Sequence, residues 1–522
     1  MRPSPAAPND TLGQLLARHA RATPSATALR FEGKAWTWSD LHQQSRALAG
    51  QLEHGGVRRG DRVAWLGLNH PAQLLLLLAL ARLQAVLLPL NYRLSPAEWD
   101  AILGDCRPRH LFHDAAWCEA AQALAARHGI QAQGCEALLE AVAGQHDPAP
   151  EARDEAAKGK SEGEGEGVGQ DLAVPLLLVN TSGTSGRART AVHTQAGLLA
   201  NMVSAAAVQR ITPQDRVLTV LPLFHVGGLC IQTLPAWHAG ACVLLQGRFD
   251  AGKTLDAIAG QRPTLTLQVP ATMKALIEHP RWAATDLSSL RALWAGSSLL
   301  PAPLVSAFHA RGIPVCNVYG ATETGPFSIA LPPEHAQDHL GSCGWPAPGV
   351  EIRLAPLETG NVGSAAMDAG ELLIRGPAVV QRYWPDQPAC DGEGWFHSGD
   401  LATRAVDGSY TVVGRARELI ISGGENIHPA EIEVPLAEHP AVAECAAFGL
   451  PDARWGEVVV VAVVLRPGAT TSGAELQAHL APRLARYKLP RRWLQVDALP
   501  RTALGKLQRH QLAGLVSTAA AL

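Results

Sequence analysis

LAVPLLLV at residues 172–179, running into TSGTSGRAR at residues 181–189, is the stretch on which the fold of this 522-residue chain turns. An unbroken apolar run of that length, bounded by turn residues, reads as a strand buried on both faces. The glycines that follow let the backbone come close to an anion, while bare N–H groups and Ser or Thr hydroxyls supply donors, so the cluster reads as a phosphate cradle. A nucleotide phosphate is its natural guest. It is not a Walker loop, because no Gly-Lys-Ser/Thr follows the required four-residue gap. By composition alone the same cluster also reads as a flexible turn. From about Gln195 the composition becomes helical.

Upstream, Leu12–His19 and Trp38–Leu52 have helical periodicity, Arg62–Gly67 is strand-like, and a helix pattern at Gln73–Gln84 leads into the apolar run Ala85–Leu88. Downstream, strands are expected at Arg216–Leu221, Ala241–Leu245, Thr264–Val269, Ala292–Ala295 and Val315–Val318. Strands alternating with helices predict an α/β fold with largely parallel sheets. Residues 370–414 are richer in glycine and short β-like segments and predict a small β-rich subdomain. Beyond Leu419 a compact α+β unit is expected, with strands at Val442–Phe448 and Glu457–Leu465 and a helix at Ala474–Leu484. The domain boundary is placed at 416/417, giving units 1–416 and 417–522. The charged, Gly-rich stretch at about 150–170 has too few large apolar residues to order itself and reads as a flexible insert.

Composition narrows the class. With 47% hydrophobic and 17% charged residues and a formal net charge of −3, the chain lacks the basic excess of a nucleic-acid binder. Nine cysteines, scattered without a CxxC pair and odd in number, argue against a disulfide framework and for a reducing, cytoplasmic setting. MRPSPAAPNDTLGQLL has no long apolar core behind a basic start, so no secretory signal is expected there. Leu74–Leu90 is apolar but interrupted by Arg82 and Gln84, which predicts a buried core helix rather than a transmembrane segment.

Chemistry collects in several polar motifs. NVYGATETG (317–325) sets an aromatic, hydroxyls and a carboxylate after a strand, where open α/β sheets bind ligands. Thr322 and Glu323 suit Mg²⁺ and a phosphate, since hard cations take oxygen ligands, and Tyr319 suits a purine face. A solvated loop with a capping threonine explains the same residues. GWFHSGD (394–400) ends in Asp400, fit to accept from a ribose diol or to cap a turn. GRARELIISGGENIHPAEIE (414–433) carries Arg415 before a Gly-Gly turn. PRTALGK (500–506) places Lys506 in a polar loop, where a lone lysine is ordinarily just solvated.

Taken in order, TSGTSGRAR, LPLFHVGG (221–228), AGSSL (295–299), NVYGATETG, GWFHSGD, GRARELIISGGEN and PRTALGK resemble the adenylate-forming superfamily of acyl-CoA synthetases, peptide-synthetase adenylation domains and luciferases. The resemblance covers nearly the whole chain. It implies a large N-terminal domain of several subdomains and a small mobile α+β C-terminal lid. It also implies that Thr181, Ser182, Gly183, Thr184, Ser185 and Gly186 hold the β- and γ-phosphates of ATP, with Arg189 beside them. Gly296, Ser297, Ser298, Asn317, Tyr319 and Gly320 would surround adenine; Thr322 and Glu323 would serve the α-phosphate and Mg²⁺; Asp400 and Arg415 would bind ribose. Lys506 would stabilise the charge that develops during adenylation. The lid would then turn near Glu418, bringing Ser422, Gly423, Gly424 and Glu425 towards a thiol. Arg93, Tyr487 and Lys488 are the implied contacts of coenzyme A, although Arg93 taken alone reads as a surface charge.

The implied reaction joins a small carboxylic acid to coenzyme A through an acyl-adenylate, releasing pyrophosphate and AMP. Relatives that activate amino acids carry an aspartate in the LPLFHVGG region to pair with the ammonium; this chain has Phe224-His225 there. Burying an ammonium without that partner is costly, which disfavours an amino acid. His225, Val226, Gly227, Gly228, Trp294, Ala295 and Phe327 are expected to line an apolar pocket for an aromatic, alicyclic or medium-chain fatty acid. His225 reads either as a gate at the acyl site or as a satisfied core histidine. A ligase loading a carrier protein, and a non-catalytic acyl-nucleotide binder, are the alternatives; a homodimer stays open as the assembly. Three positions depart from the family pattern: Ala188-Arg189-Thr190 replaces Pro-Lys-Gly, Glu418 replaces the hinge aspartate, and Asn180 replaces a tyrosine before the loop.

Overall fold

The computed structural model describes residues 11–143, 171–181, 189–296, 300–356, 368–415, 418–422, 425–452, 455–484, 486–502, 507–517 and 519–522. The insert at about 150–170 and most of the glycine loop lie outside them. Two large sheets dominate. One runs, in spatial order, Trp345–Pro346, Ile329–Ala330, Val315–Tyr319, Ala292–Gly296, Leu265–Gln268, Arg216–Thr219, Cys242–Leu245, Thr27–Phe31, Lys34–Thr37. Its six central strands are mutually parallel and only its margins are antiparallel. The other runs Gln387–Pro388, Arg382–Tyr383, Arg189–Thr194, Pro175–Thr181, Val86–Leu90, Arg62–Leu66, His110–His113, Gln131–Gly134.

Helices fill the space between the sheets. Pro71–Leu83 (PAQLLLLLALARL) is apolar on every side because every side is covered: it packs on the strands Val86–Leu90 and Pro175–Thr181 and on the helices Leu12–Ala22 and Trp38–His54. His70 caps its start by accepting from Ala72 N–H, with Pro71 in the first turn. Among the described residues no helix is long and apolar enough to cross a membrane. Gln195–Val208 bridges the sheets, touching Pro175–Thr181 and Arg189–Thr194 on one side and Leu229–Thr233 and Leu234–Ala239 on the other. One apolar core therefore draws residues from both sheets, Leu87 and Val179 as well as Val217 and Leu265.

The expected β-rich part is an antiparallel sheet ordered Glu351–Ala355, Asp368–Arg375, Phe396–Arg404, Tyr410–Arg415. From Ile420 onward the chain builds its own sheet around the strand Gly456–Leu465. In that strand Val459, Val461 and Val463 enter one core and Val458, Val460 and Ala462 another, the period-2 alternation of a strand covered on both faces.

Two local expectations shift. The run read as a strand over 172–179 forms one at Pro175–Thr181, and the glycine loop returns into a further strand, Arg189–Thr194, paired antiparallel with it. RTAVHT hides that strand because Thr190 and His193 are polar and yet buried. The helix expected over 474–484 spans Gly473–Leu480, since Pro482 has no N–H to donate to the carbonyl four residues back.

Candidate active site

Strand order reverses at Arg216–Thr219: the chain steps to Cys242–Leu245 on one side, then returns to Leu265–Gln268 on the other. With parallel strands the carboxyl ends face one way, and a crevice opens where successive loops leave in opposite directions. LPLFHVGG leaves from there. AGSSL and NVYGATETG follow from neighbouring strands, with Ala295 opposite Asn317 and Gly296 opposite Val318. Three motifs separated by about a hundred residues thus share one sheet edge. Gly320 is required at the turn because a Cβ would lie 1.8 Å from the Pro326 carbonyl oxygen; at Gly228 it would lie 2.3 Å from that of Pro222.

Asp400 and Arg415 face each other on adjacent antiparallel strands. The Asp400 carboxylate accepts from the Tyr319 hydroxyl at 2.6 Å through Oδ2 and meets Arg415 Nε at 3.0 Å through Oδ1. Burial, then the Asp400 charge, push the Tyr319 phenol far above its ordinary pKa, so it remains a donor at any physiological pH. A carboxylate offers about four acceptor sites, so these two donors leave capacity for a diol. Asn317 donates through Nδ2 to the Ser342 carbonyl at 3.2 Å.

A second cluster joins the glycine loop to the carboxylate of NVYGATETG. Thr181 and Arg189, the two ends of the loop, are paired in register, and the Thr181 hydroxyl donates to the Arg189 carbonyl at 3.3 Å. The Arg189 guanidinium lies over the Tyr383 ring, 5.2 Å from its centroid, and the Tyr383 hydroxyl donates to Glu323 Oε1 at 3.0 Å. Thr322 and Glu323 sit in a 3₁₀ turn, and the Glu323 carbonyl accepts from Val380 N–H at 2.8 Å. Among the described residues no three His, Cys, Asp or Glu converge on a metal. Mg²⁺ fits this arrangement in its usual way, on one carboxylate together with nucleotide phosphate oxygens and water.

Around the acyl segment, Phe224 packs edge-on to Tyr92 with centroids 5.4 Å apart, and Tyr92 lies 5.4 Å from Trp117. His225 Nδ1 accepts from Gly227 N–H at 3.1 Å, which leaves the neutral ring's proton on Nε2. Asn201 ties together the segments just after two of the motifs, donating to the Cys230 carbonyl at 2.7 Å and accepting from Phe327 N–H at 3.2 Å. Trp294 and Ala295, both expected to line the pocket, are successive residues of the strand Ala292–Gly296, so their side chains point to opposite faces and do not share a wall. Trp294 is fully buried with Phe327, 5.8 Å between centroids, whereas Ala295 lies opposite Gln268.

In the C-terminal part, Glu418 pairs with Arg509 at 2.8 Å, and Arg509 also grips both oxygens of Glu433 at 2.6 and 2.8 Å. Ser422 is buried at the end of Ile420–Ser422. Lys488 is paired with Glu431, the capping residue of the Pro429–Ala437 helix. Arg93 is exposed beside the Tyr92 ring, 5.4 Å from its centroid, and Tyr487 lies in a 3₁₀ turn, Arg486–Lys488. Ser182 to Gly186, Ser297, Ser298, Gly423, Gly424 and Lys506 lie outside the described residues. Tyr383, Asn201 and Arg509 went unread in the sequence. Tyr383 was the most accessible, being one of only five tyrosines and the centre of QRYWP.

The AMP-binding enzyme family matches residues 16–384, and the AMP-binding enzyme C-terminal domain matches residues 431–506. The chain is 41% identical to an indoleacetate–CoA ligase of Aromatoleum aromaticum over 97% of its own length and 98% of the relative's. It is 39% identical to a feruloyl-CoA synthase of an Amycolatopsis species over 97% and 99%. Its fold superposes with a TM-score of 0.82 on the o-succinylbenzoate–CoA synthetase of Bacillus subtilis solved with its acyl-adenylate, at 31% identity, covering 95% and 97% of the two chains. The chain therefore belongs to the adenylate-forming superfamily of AMP-binding enzymes, as an AMP-forming acid–thiol ligase that works with ATP, Mg²⁺ and coenzyme A.

Proposed function

We propose that the acid activated by this ligase is an aromatic or arylalkyl carboxylic acid, and that the acceptor is free coenzyme A. The observation that carries the reading is the crevice segment itself. Where an ammonium-bearing acid would need a carboxylate, LPLFHVGG offers Phe224, packed on Tyr92, and a histidine that is a donor through Nε2. Apolar walls and one neutral donor suit a planar acid without a second charge. Two relatives at 41% and 39% identity, named for indoleacetate and feruloyl substrates, support it.

In the adenylation half, the acid's carboxylate oxygen attacks the α-phosphorus and the bond to the β-phosphate oxygen breaks, releasing pyrophosphate. Asp400 and Arg415 hold the ribose, with Tyr319 fixing the Asp400 carboxylate. Asn317 and Gly296 border the adenine. Thr181 and Arg189 grip the departing pyrophosphate at the two ends of the glycine loop, and Lys506 meets the charge on the α-phosphate and the acyl oxygen. Mg²⁺, held by Glu323, would neutralise phosphate charge. In the second half the lid, residues 417–522, turns about Glu418; the thiolate attacks the acyl carbon, and AMP leaves with the bonding pair.

The test is pyrophosphate release with phenylacetic, cinnamic, cyclohexanecarboxylic, octanoic and amino acids, with and without coenzyme A. Aromatic acids should give the highest kcat/KM, and a thioester should form only with coenzyme A present. Faster turnover of octanoate would overturn the assignment of the acid. Adenylate without thioester would redirect the acceptor to a carrier protein, and no pyrophosphate from any acid would leave only nucleotide binding.

A further inference from the structure

We infer that Tyr383 is the positioning residue of the phosphate grip: its hydroxyl aims the Glu323 carboxylate while its ring is the platform on which Arg189 rests, so that one side chain sets the metal acid and the pyrophosphate cation together. The inference rests on the assignment of Glu323 to Mg²⁺ given above.

Three observations converge on this residue. Tyr383 reaches the site from an edge strand, Arg382–Tyr383, fixed to the far side of the glycine loop by pairing with Ala191 and by Trp384 N–H donating to the Thr190 carbonyl at 2.8 Å. The ring is buried, 5% exposed, among Ala191 and Val380, so its orientation is imposed by packing. Its two working faces then meet the two predicted phosphate groups, Glu323 through the hydroxyl at 3.0 Å and Arg189 through the ring at 5.2 Å.

The same geometry gives a reason for the arginine that departs from the family's lysine. A planar guanidinium can lie on an aromatic face and still present N–H groups along its edge, whereas an ammonium is a point charge on a flexible stem. Arg189 is the first residue after the glycine loop and opens the strand that Tyr383 pairs with. Its charge is therefore held at the loop's exit by packing on the ring, which reduces the ordering that nucleotide binding must impose.

Full-length Tyr383→Phe, Tyr383→Leu, Arg189→Lys and Glu323→Gln enzymes test this by calorimetric titration of α,β-methylene-ATP at several Mg²⁺ concentrations, and of AMP alone, with melting temperatures recorded. Tyr383→Phe keeps the ring and removes the donor, so the Mg²⁺-dependent part of analogue binding should weaken about tenfold, the worth of a hydrogen bond to a charged group, with AMP affinity unchanged. Arg189→Lys should weaken the analogue but not AMP. Its effect should shrink in the Tyr383→Leu background, where the platform is already gone. Unchanged Mg²⁺ dependence in Tyr383→Phe, or equal loss of AMP binding, overturns the role of the hydroxyl. Additive effects of Arg189→Lys and Tyr383→Leu overturn the platform. Should Tyr383→Leu fail to fold, Arg189→Lys in a Tyr383→Met background, which keeps much of the side chain's volume without a ring, decides by the same criterion. If Glu323→Gln leaves Mg²⁺ dependence untouched, the assignment of the metal acid fails first.

Discussion

Replacing Arg509 by methionine should loosen the C-terminal part of the chain more than removing the charge of its partner Glu418. The guanidinium meets Glu433 through two bonds, Glu418 through one at 2.8 Å, and the Ala447 carbonyl at 2.9 Å, with its side chain 18% exposed and that of Glu433 15%. Glu433 also accepts from Ala447 N–H at 2.7 Å, so the arginine and the acid together clasp the strand Val442–Asp452. Methionine keeps the stem's volume but strands the Glu433 carboxylate with one donor. Breaking a buried pair from one side costs about 3–5 kcal/mol, and residual exposure of the acid places Arg509→Met near the lower end, about 3 kcal/mol. Glu418→Gln should cost about 1 kcal/mol, since Glu418 is 31% exposed and makes one of the contacts. Hydrogen exchange read by mass spectrometry in the full-length enzyme measures this locally, because each 1.4 kcal/mol is about a tenfold faster exchange of the opened strand. Protection of Val442–Asp452 should fall about a hundredfold in Arg509→Met and about fivefold in Glu418→Gln. A loss under fivefold in Arg509→Met, or equal losses in the two variants, would refute the reasoning.

Two further outcomes follow from buried groups. Tyr319→Phe removes the 2.6 Å bond to Asp400 and leaves that acid with Arg415; AMP affinity measured by calorimetry should fall about tenfold, with a stability loss of about 1–2 kcal/mol in urea unfolding. His193, fully buried in Arg189–Thr194, has its pKa pushed down to about 4 by burial. Unfolding lets it take up a proton near its ordinary value of about 6.5, so its contribution is complete above that pH and is lost as the pH falls towards 4, up to about 3 kcal/mol. His19, His70 and His428 are depressed by burial too and steepen the same acid limb. Melting temperature should therefore drop between pH 7 and pH 5, and His193→Leu should flatten that drop; an unchanged slope would remove His193 as a cause.

The fold class was readable because the α/β signal is local. VPLLLV-like runs, amphipathic helices and glycine turns each report their own segment, and the all-apolar Pro71–Leu83 helix announces a position covered from every side. The strand Arg189–Thr194 was missed for the converse reason, since a buried histidine and threonine look like surface until the neighbouring strand is in place.

What the sequence by itself determined is the order of the seven motifs, and through them the family, the reaction class and the residue types that meet a nucleotide. What only the tertiary structure decided is which of those residues share a contact. Asp400 lies 81 residues from Tyr319, Tyr383 60 from Glu323, and Arg509 76 from Glu433. None of these pairs leaves a periodic trace in the chain, because cross-sheet and cross-strand contacts depend on strand order and register, which are fixed by burying apolar surface throughout the core. The alternation that separates Trp294 from Ala295 acts the same way: adjacent in sequence, they are parted by the pleat of one strand.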